Sequence, residues 1–218
     1  VGKAHLEGFG SFEGVIKTKG ELYNYISNSG KGIFINSANE HLTGLANHST
    51  ERFTYAPSHC NAELIGEVVN DDLLLTCKLL FPKGWLYFKT NFTGAYNLEN
   101  ILAASRVGTY FNVDPLMIKD AIESYYPSNS RSQIMKKGSS TLIVDCYNAN
   151  PSSMALSLEN FFKNNNKLKT VILGEMLELG ESSFVEHQKI VNMIVEKEID
   201  HVFLIGNNFA KVDCPEYF

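Results

Sequence analysis

The 218-residue chain has the composition of an ordinary globular protein, with 44% hydrophobic residues, 20% charged residues and a net charge of −5. Its lysines and arginines are scattered, which argues against a nucleic-acid-binding surface, and no apolar run approaches the roughly 18 residues of a membrane-spanning helix. The four cysteines stand far apart without a CxxC pair. We therefore expect reduced thiols in a cytoplasmic protein rather than a zinc site or a disulfide framework.

The first 128 residues are predicted to mix helices and strands. Hydrophobic spacing predicts a helix over 11–26, a strand over 32–36 and a short helix over 40–46. Four β-type runs separated by turn residues follow at 52–55, 63–69, 73–81 and 85–89. Two further helices are predicted over 97–111 and from Pro115 to about Tyr125, with Asp114 as the cap of the second.

Pro127–Ser130 is the predicted linker, because the rhythm of the sequence changes there. Strands and helices then alternate over 141–144, 151–164, 169–173, 183–198 and 201–205. Ser183 and Glu186 have the spacing of a capping box. Such alternation is typical of βαβ units, so we expect an α/β chain of two domains, 1–128 and 129–218, the second Rossmann-like with a mostly parallel sheet.

Lys19 is the most informative residue of the first predicted helix. It lies seven residues after Phe12 and three before Leu22, within the apolar stripe, whereas Lys17 lies off that stripe. A buried unpaired ammonium is costly, so such a lysine must be paired, neutralised or modified. The alternative is a lysine whose ammonium reaches solvent from the edge of the stripe.

Short motifs near this helix are weak evidence for a binding site when each is taken alone. His5 and Glu7, two apart in extended chain, could bind a cation or pair with each other. The glycines of GFGSFEG follow no predicted strand, and Ser29–Gly32 lacks the GxxxxGK[ST] spacing. Neither glycine pattern therefore predicts a phosphate-binding loop.

Polar residues at two later positions are candidates for ligand binding. Asn97 and Asn100 stand three apart at the start of a helix and could face one ligand edge, or Asn97 could simply cap the helix. Asp145 ends a predicted strand, where ligands of α/β sheets gather. The loop over 147–151 leads into a helix N-terminus that favours anions, although capping alone would also explain its residues.

Four ordered motifs, AHLEGFGS, YNLENILAA, DCYNANPSSM and LGEMLELGESSFVEH, resemble the Mur ligases. They are most similar to the branch of that family that joins D-Ala-D-Ala to a UDP-N-acetylmuramoyl-tripeptide. The resemblance implies a monomeric cytoplasmic enzyme with a central ATP-binding domain and a C-terminal ligase domain. It implies a reaction that uses ATP and Mg²⁺ and passes through an acyl phosphate.

The resemblance also assigns the residues that serve the reacting groups. Lys19 corresponds to a lysine that is carbamylated in the family, and His5 to a histidine that binds Mg²⁺. Arg131 corresponds to the arginine that reaches the nucleotide phosphates.

Nucleotide-binding residues can be carried over in the same way. Asn97 and Asn100 correspond to the asparagines that contact adenine, and Asp145 to the aspartate that binds ribose. Asn148 and Asn150 lie where the family's C-terminal domain approaches the phosphates and the incoming amine.

The chain departs from the family pattern in ways that affect its activity. The family's phosphate loop and sugar-binding N-terminal domain are not in this sequence, and Ser37-Ala38-Asn39 stands where an Ala-Asp-Asp run is common. We therefore expect a fragment that is inactive alone. Two alternatives are a non-catalytic nucleotide-binding or scaffold protein and a folylpolyglutamate synthase-like ligase, against which YNANP argues.

Overall fold

The computed structural model describes residues 6–46, 51–128, 130–164 and 168–215. They form two compact units: residues 16–145 make the first, and residues 6–15 with 146–215 make the second. None of the described sheets continues across Pro127–Arg131. The boundary between the units follows Asp145, so the domain boundary expected near residue 128 stays a prediction.

The described residues form both helices and strands. In chain order they are α1 (Leu6–Phe9), α2 (Phe12–Asn28), β1 (Ile33–Asn36), α3 (Glu40–Leu45), β2 (Arg52–Pro57), β3 (Leu64–Asn70), β4 (Thr76–Phe81), β5 (Gly84–Lys89), α4 (Asn97–Tyr110), α5 (Pro115–Ser124), β6 (Gln133–Lys137), β7 (Ser140–Val144), α6 (Pro151–Phe162), β8 (Thr170–Gly174), α7 (Ser183–Val195) and β9 (His201–Ile205). Short 3-10 turns lie at Gly180–Ser182 and Phe209–Lys211. Among the described residues, no helix combines the length and apolar character needed to span a membrane.

The first unit is built on a five-stranded sheet in the order β1-β2-β3-β4-β5. The pairs β1–β2 and β2–β3 are parallel, and β3–β4 and β4–β5 are antiparallel. Alternate residues of β4, Cys77, Leu79 and Phe81, are buried because successive side chains of a strand point to opposite faces. Helix α4 packs Leu98, Ile101 and Leu102 into the same core.

The second unit contains the expected parallel pairing. Strands β8 and β9 run parallel with Thr170 opposite His201, and α7 lies between them in sequence. A single apolar core joins these elements to α6 and comprises Met154, Leu158, Val171, Met176, Leu179, Ile190, Val191, Ile194, Val202, Phe209 and Val212.

Strand β6 was not predicted, and it changes the pairing of its neighbour. It forms an antiparallel hairpin with β7, with Lys137 opposite Ser140 across a two-residue loop. Gly138 has φ +61 in this loop, as the favoured hairpin turns require. In the described ranges β7 thus pairs with β6, although it was expected to begin the parallel alternation.

The predicted caps of α5 and α7 can be compared with the structure. Asp114 caps α5 as expected, because its side chain accepts a hydrogen bond from Leu116 N at 2.8 Å. The capping box expected at Ser183 and Glu186 is wrong: Ser182 is the N-cap, and the Glu186 carboxylate instead pairs with Lys189 Nζ at 2.8 Å.

Candidate functional site

Lys19 stands on the exposed surface of α2. The next residue of this helix, Gly20, is buried, and a Cβ there would approach Leu45 Cδ2 to 2.9 Å. Lys19 points about 100° away from Gly20 around the helix axis. The expectation that Lys19 is buried is therefore wrong, and the alternative of an ammonium in solvent agrees with the structure. Leu22, assigned to the same stripe, is also exposed, at 59%.

The described residues do not make up a Mg²⁺ site by themselves. His5, the predicted ligand, lies outside them. Glu7 uses its backbone N–H to donate a hydrogen bond to Glu178 O at 3.0 Å within the second unit. In the described ranges, no three His, Cys, Asp or Glu side chains are grouped closely enough to hold a metal ion.

Asn97 and Asn100 meet on the first turn of α4, as their spacing predicts. Asn100 Nδ2 donates to Asn97 Oδ1 at 3.0 Å, and Asn97 Nδ2 donates to Thr93 O at 2.7 Å. Tyr96 is the N-cap, so the alternative in which Asn97 caps the helix is wrong. Asn97 is 5% exposed and Asn100 is exposed, so the buried amide orients the accessible one.

Ser132 connects this asparagine pair to Asp145 in the first unit. Its backbone N–H donates to Asp145 Oδ1 at 3.4 Å, and its hydroxyl lies 2.8 Å from Tyr96 Oη. Asn97 Nδ2 also donates to Ser132 Oγ, at 3.5 Å. The structure therefore brings together the asparagines and the aspartate that were predicted separately.

The backbone near α4 explains how Tyr96 reaches Ser132. Gly94 has φ +82, and a Cβ at this position would collide with the ring of Tyr96. Glycine is the residue that accepts both the left-handed backbone and the close ring. The turn thereby directs Tyr96 Oη toward Ser132.

Arg131 immediately precedes Ser132 and is exposed. Its position in the chain puts its backbone beside the cluster of Tyr96, Asn97, Ser132 and Asp145. Its assignment to the nucleotide phosphates stays a prediction.

Asn148 and Asn150 have different surroundings in the second unit. Asn150 is the N-cap of α6: its Oδ1 accepts from Ser153 N at 3.0 Å, and its own N–H donates to Ser153 Oγ at 3.4 Å. The capping explanation of this loop is thus confirmed for Asn150. Asn148 is exposed, and ligand roles for both asparagines stay predictions.

Sequence reasoning missed Thr93, Tyr96 and Ser132. Tyr96 adjoins the asparagine motif, and an aromatic hydroxyl there was a usable signal. Nothing in the sequence around Ser132 marks it, because its partners lie 36 and 13 residues away. Thr93 is 1% exposed, and its hydroxyl has no hydrogen-bond partner within the described ranges.

Glu99 lies between the two asparagines in the sequence of α4 and is exposed. Burial raises the pKa of Tyr55 above its usual 10, and the Glu99 carboxylate and Tyr23 raise it further. Tyr55 therefore stays neutral at physiological pH.

Comparisons with known proteins agree with this arrangement. The Mur ligase middle domain matches residues 1–108, and the glutamate ligase domain of Mur ligases matches residues 130–216. The UDP-N-acetylmuramoyl-tripeptide--D-alanyl-D-alanine ligase of Haemophilus influenzae is 28% identical over 97% of this chain and 46% of its own length. The chain thus spans less than half the length of this curated relative.

Solved structures show the same fold. A crystal structure of MurF from Acinetobacter baumannii superposes with a TM-score of 0.83 at 23% identity, over 98% of this chain and 48% of the other. MurF ligase from Thermotoga maritima, in complex with ADP, gives 0.80 at 20% identity, over 98% and 50%. This chain belongs to the Mur ligase family.

Proposed function

We propose that this chain is part of an ATP-dependent ligase of peptidoglycan precursor synthesis that joins D-Ala-D-Ala to a UDP-N-acetylmuramoyl-tripeptide. The observation that carries the proposal is the cluster of Asn97, Asn100, Ser132 and Asp145 in a chain of this family. Amide groups suit an adenine edge because they both donate and accept hydrogen bonds. The carboxylate of Asp145, which is linked to these amides through Ser132, suits ribose hydroxyls.

The proposed reaction has two steps. The tripeptide's terminal carboxylate attacks the γ-phosphorus of ATP, the bond to the β,γ-bridging oxygen breaks, and ADP leaves. The amine of D-Ala-D-Ala then attacks the carbonyl carbon of the acyl phosphate. The tetrahedral intermediate expels inorganic phosphate, and the nitrogen loses a proton as the amide forms.

The chain's residues would contribute mainly by orientation, which can be worth about 7–11 kcal/mol in such reactions. Asn100 would contact adenine and Asp145 the ribose, while Arg131 would stabilise negative charge on the phosphates. Asn148 would approach the phosphates or the incoming amine. Asn150 would support that loop through its capping bonds to α6.

The metal part of the proposal rests on the family resemblance. Mg²⁺, held by His5 and a carbamylated Lys19, would screen the negative charges of the phosphates and the carboxylate when bound. The exposure of Lys19 leaves its amine accessible for such a modification.

We further infer two domains that meet near residue 128, a cytoplasmic location and a monomeric protein. The separate family matches to residues 1–108 and 130–216 support the division. The 218 residues alone would be inactive, since they contain no GxxxxGK[ST] loop to hold the β- and γ-phosphates.

The test is an assay of the complete gene product with ATP, Mg²⁺, UDP-N-acetylmuramoyl-tripeptide and D-Ala-D-Ala. Phosphate should be released only when every component is present, and mass spectrometry should find the extended peptide. ATP binding without turnover would favour the scaffold alternative. Extension of a folate by glutamate would favour the folylpolyglutamate synthase-like alternative.

A further inference from the structure

Ser132 has a conformation that serine rarely adopts. Its φ is +51, in the left-handed region that favours glycine, and its side chain is 6% exposed. Non-glycine residues persist in that region where their surroundings hold them, and such positions cluster at functional sites. The surroundings here are the start of α4 and the end of β7.

The polar groups of Ser132 are directed at residues of the proposed nucleotide site. Its hydroxyl lies 2.8 Å from Tyr96 Oη and 3.5 Å from Asn97 Nδ2, and its N–H donates to Asp145 Oδ1 at 3.4 Å. One buried residue therefore contacts both an adenine candidate and the ribose candidate.

Asn97 links Ser132 to the accessible amide of Asn100. Its Nδ2 donates to Thr93 O and Ser132 Oγ, so its Oδ1 faces Asn100 and accepts from Asn100 Nδ2. Asn100 is exposed and its Nδ2 is used by Asn97, and among the described residues its Oδ1 accepts no hydrogen bond, so this oxygen is available as an acceptor for a ligand. An outward acceptor matches the exocyclic amine of adenine and opposes the carbonyl oxygen of guanine.

We propose that Ser132 is a positioning residue of the nucleotide site, which fixes Asn97 and Asp145 so that Asn100 and Asp145 meet the adenine and ribose of ATP. The inference rests on the proposed function. It adds a base-selecting role for a residue that touches no substrate atom.

Replacing Ser132 by glycine tests the role of its hydroxyl without changing the backbone conformation. Ser132→Gly removes the hydroxyl but accepts a φ of +51 without strain, so the backbone path and the N–H contact to Asp145 are kept. Ser130→Gly is the matched control, because Ser130 also has a positive φ, of +59, and makes no hydrogen bond in the described structure. Tyr96→Phe removes the other hydroxyl of the contact between Tyr96 Oη and Ser132 Oγ.

The experiment measures kcat and KM for ATP and GTP in the complete gene product. Ser132→Gly should raise the KM for ATP about tenfold, because the Asn97–Asn100 pair loses an orienting contact worth about one or two hydrogen bonds. Its kcat should stay within about twofold because the phosphates are held elsewhere. The preference for ATP over GTP should fall, and Tyr96→Phe should act in the same direction. Ser130→Gly should match the parent protein.

The melting temperatures of the variants show whether a change in KM comes from misfolding. Ser132→Gly relieves the positive-φ strain but loses the hydrogen bonds of the hydroxyl, and the two effects oppose each other. Its melting temperature should therefore stay close to that of the parent, so weaker ATP use would not follow from lost stability. A Ser132→Gly enzyme with unchanged KM and ATP:GTP ratio would overturn the inference. Asn100→Ala separates the two proposals: if it raises KM while Ser132→Gly does not, only the role of Ser132 fails. If Asn100→Ala changes nothing, the adenine assignment fails and the inference fails with it.

Discussion

His187 Nε2 accepts a hydrogen bond from the backbone N–H of Met176 at 3.0 Å inside the core of the second unit. Nδ1 of the same ring donates to Ser183 O at 2.7 Å, and the ring meets Phe209 edge-on. The fully buried imidazole therefore joins the segment after β8 to the first turn of α7. This is a structural histidine with both nitrogens satisfied.

His187→Ala should destabilise the protein by about 3 kcal/mol, because it leaves the Met176 N–H unpaired and opens a cavity. Urea unfolding of the 218-residue chain measures the loss. His201→Ala is the control: His201 is exposed at the start of β9, and its replacement should change stability by less than about 0.5 kcal/mol. Equal losses in the two variants would show that the paired ring nitrogens do not matter.

Three of the four unpaired cysteines should differ in their reaction with a thiol reagent. Burial raises the pKa of Cys77 to about 12, with a smaller effect from the Glu123 charge, and its side chain is inaccessible. Burial and Asp213 also raise the pKa of Cys214. Because the thiolate is the reactive form, exposed Cys146 should react first, Cys214 more slowly, and Cys77 after denaturation.

A colorimetric thiol assay with and without denaturant tests this order. Cys146→Ser should remove the fastest phase of the native protein. Rapid modification of Cys77 in native conditions would contradict its burial.

Glu63 should make the stability of the first unit depend on pH. Burial raises its carboxyl pKa, but hydrogen bonds from Arg106 and Thr54 outweigh burial and hold the pKa below its usual 4.5. A lowered folded-state pKa contributes stability above about pH 4.5 that is lost as pH falls through the folded pKa. Because the Glu63 side chain is 53% exposed, solvent screening limits the effect to about 1 kcal/mol or less.

Chemical unfolding at pH 7 and pH 3 of the parent and Glu63→Gln measures this contribution. The variant should be less stable at pH 7 and nearly equal to the parent at pH 3. A difference that grows on acidification would have the wrong sign for a depressed pKa.

Lys19→Ala should nearly abolish ligation by the complete gene product while leaving its fold intact, since Lys19 is exposed and alanine favours helix. If the missing group is a carbamate, a short carboxylic acid added in solution should restore part of the activity. Steady-state ligation assays with and without the acid measure both effects.

Lys17→Ala is the control, because Lys17 is also exposed on α2. Its ligation rate should stay near that of the parent. An inactive Lys17→Ala beside an active Lys19→Ala would refute the assignment of Lys19.

The isolated 218-residue chain should bind ATP more weakly than micromolar. The Asn97–Asn100 pair and Asp145 are present, but the sequence contains no GxxxxGK[ST] loop. Titration calorimetry with and without Mg²⁺ tests this expectation. Micromolar, Mg²⁺-dependent affinity would contradict it.

Elements governed by local chemistry could be predicted from the sequence. The strand His201–Ile205 has its predicted bounds, and Asp114 caps the helix that Pro115 begins. The Asn97–Asn100 contact follows from helical spacing alone. Strand β6 escaped prediction because Gln133–Lys137 is largely exposed and shows no apolar alternation. This segment is a strand mainly because it pairs with β7 across the hairpin, and less because of its own side chains.

The sequence by itself determined the family, most helix and strand positions, and the angular place of Lys19 on its helix. Only the tertiary structure decided that Lys19 is exposed, since periodicity gives a direction around the helix axis but not the atoms that cover it. Only the tertiary structure made Ser132 part of the site. Its contacts to Tyr96 and Asp145 join residues distant in sequence, and no local pattern encodes such contacts.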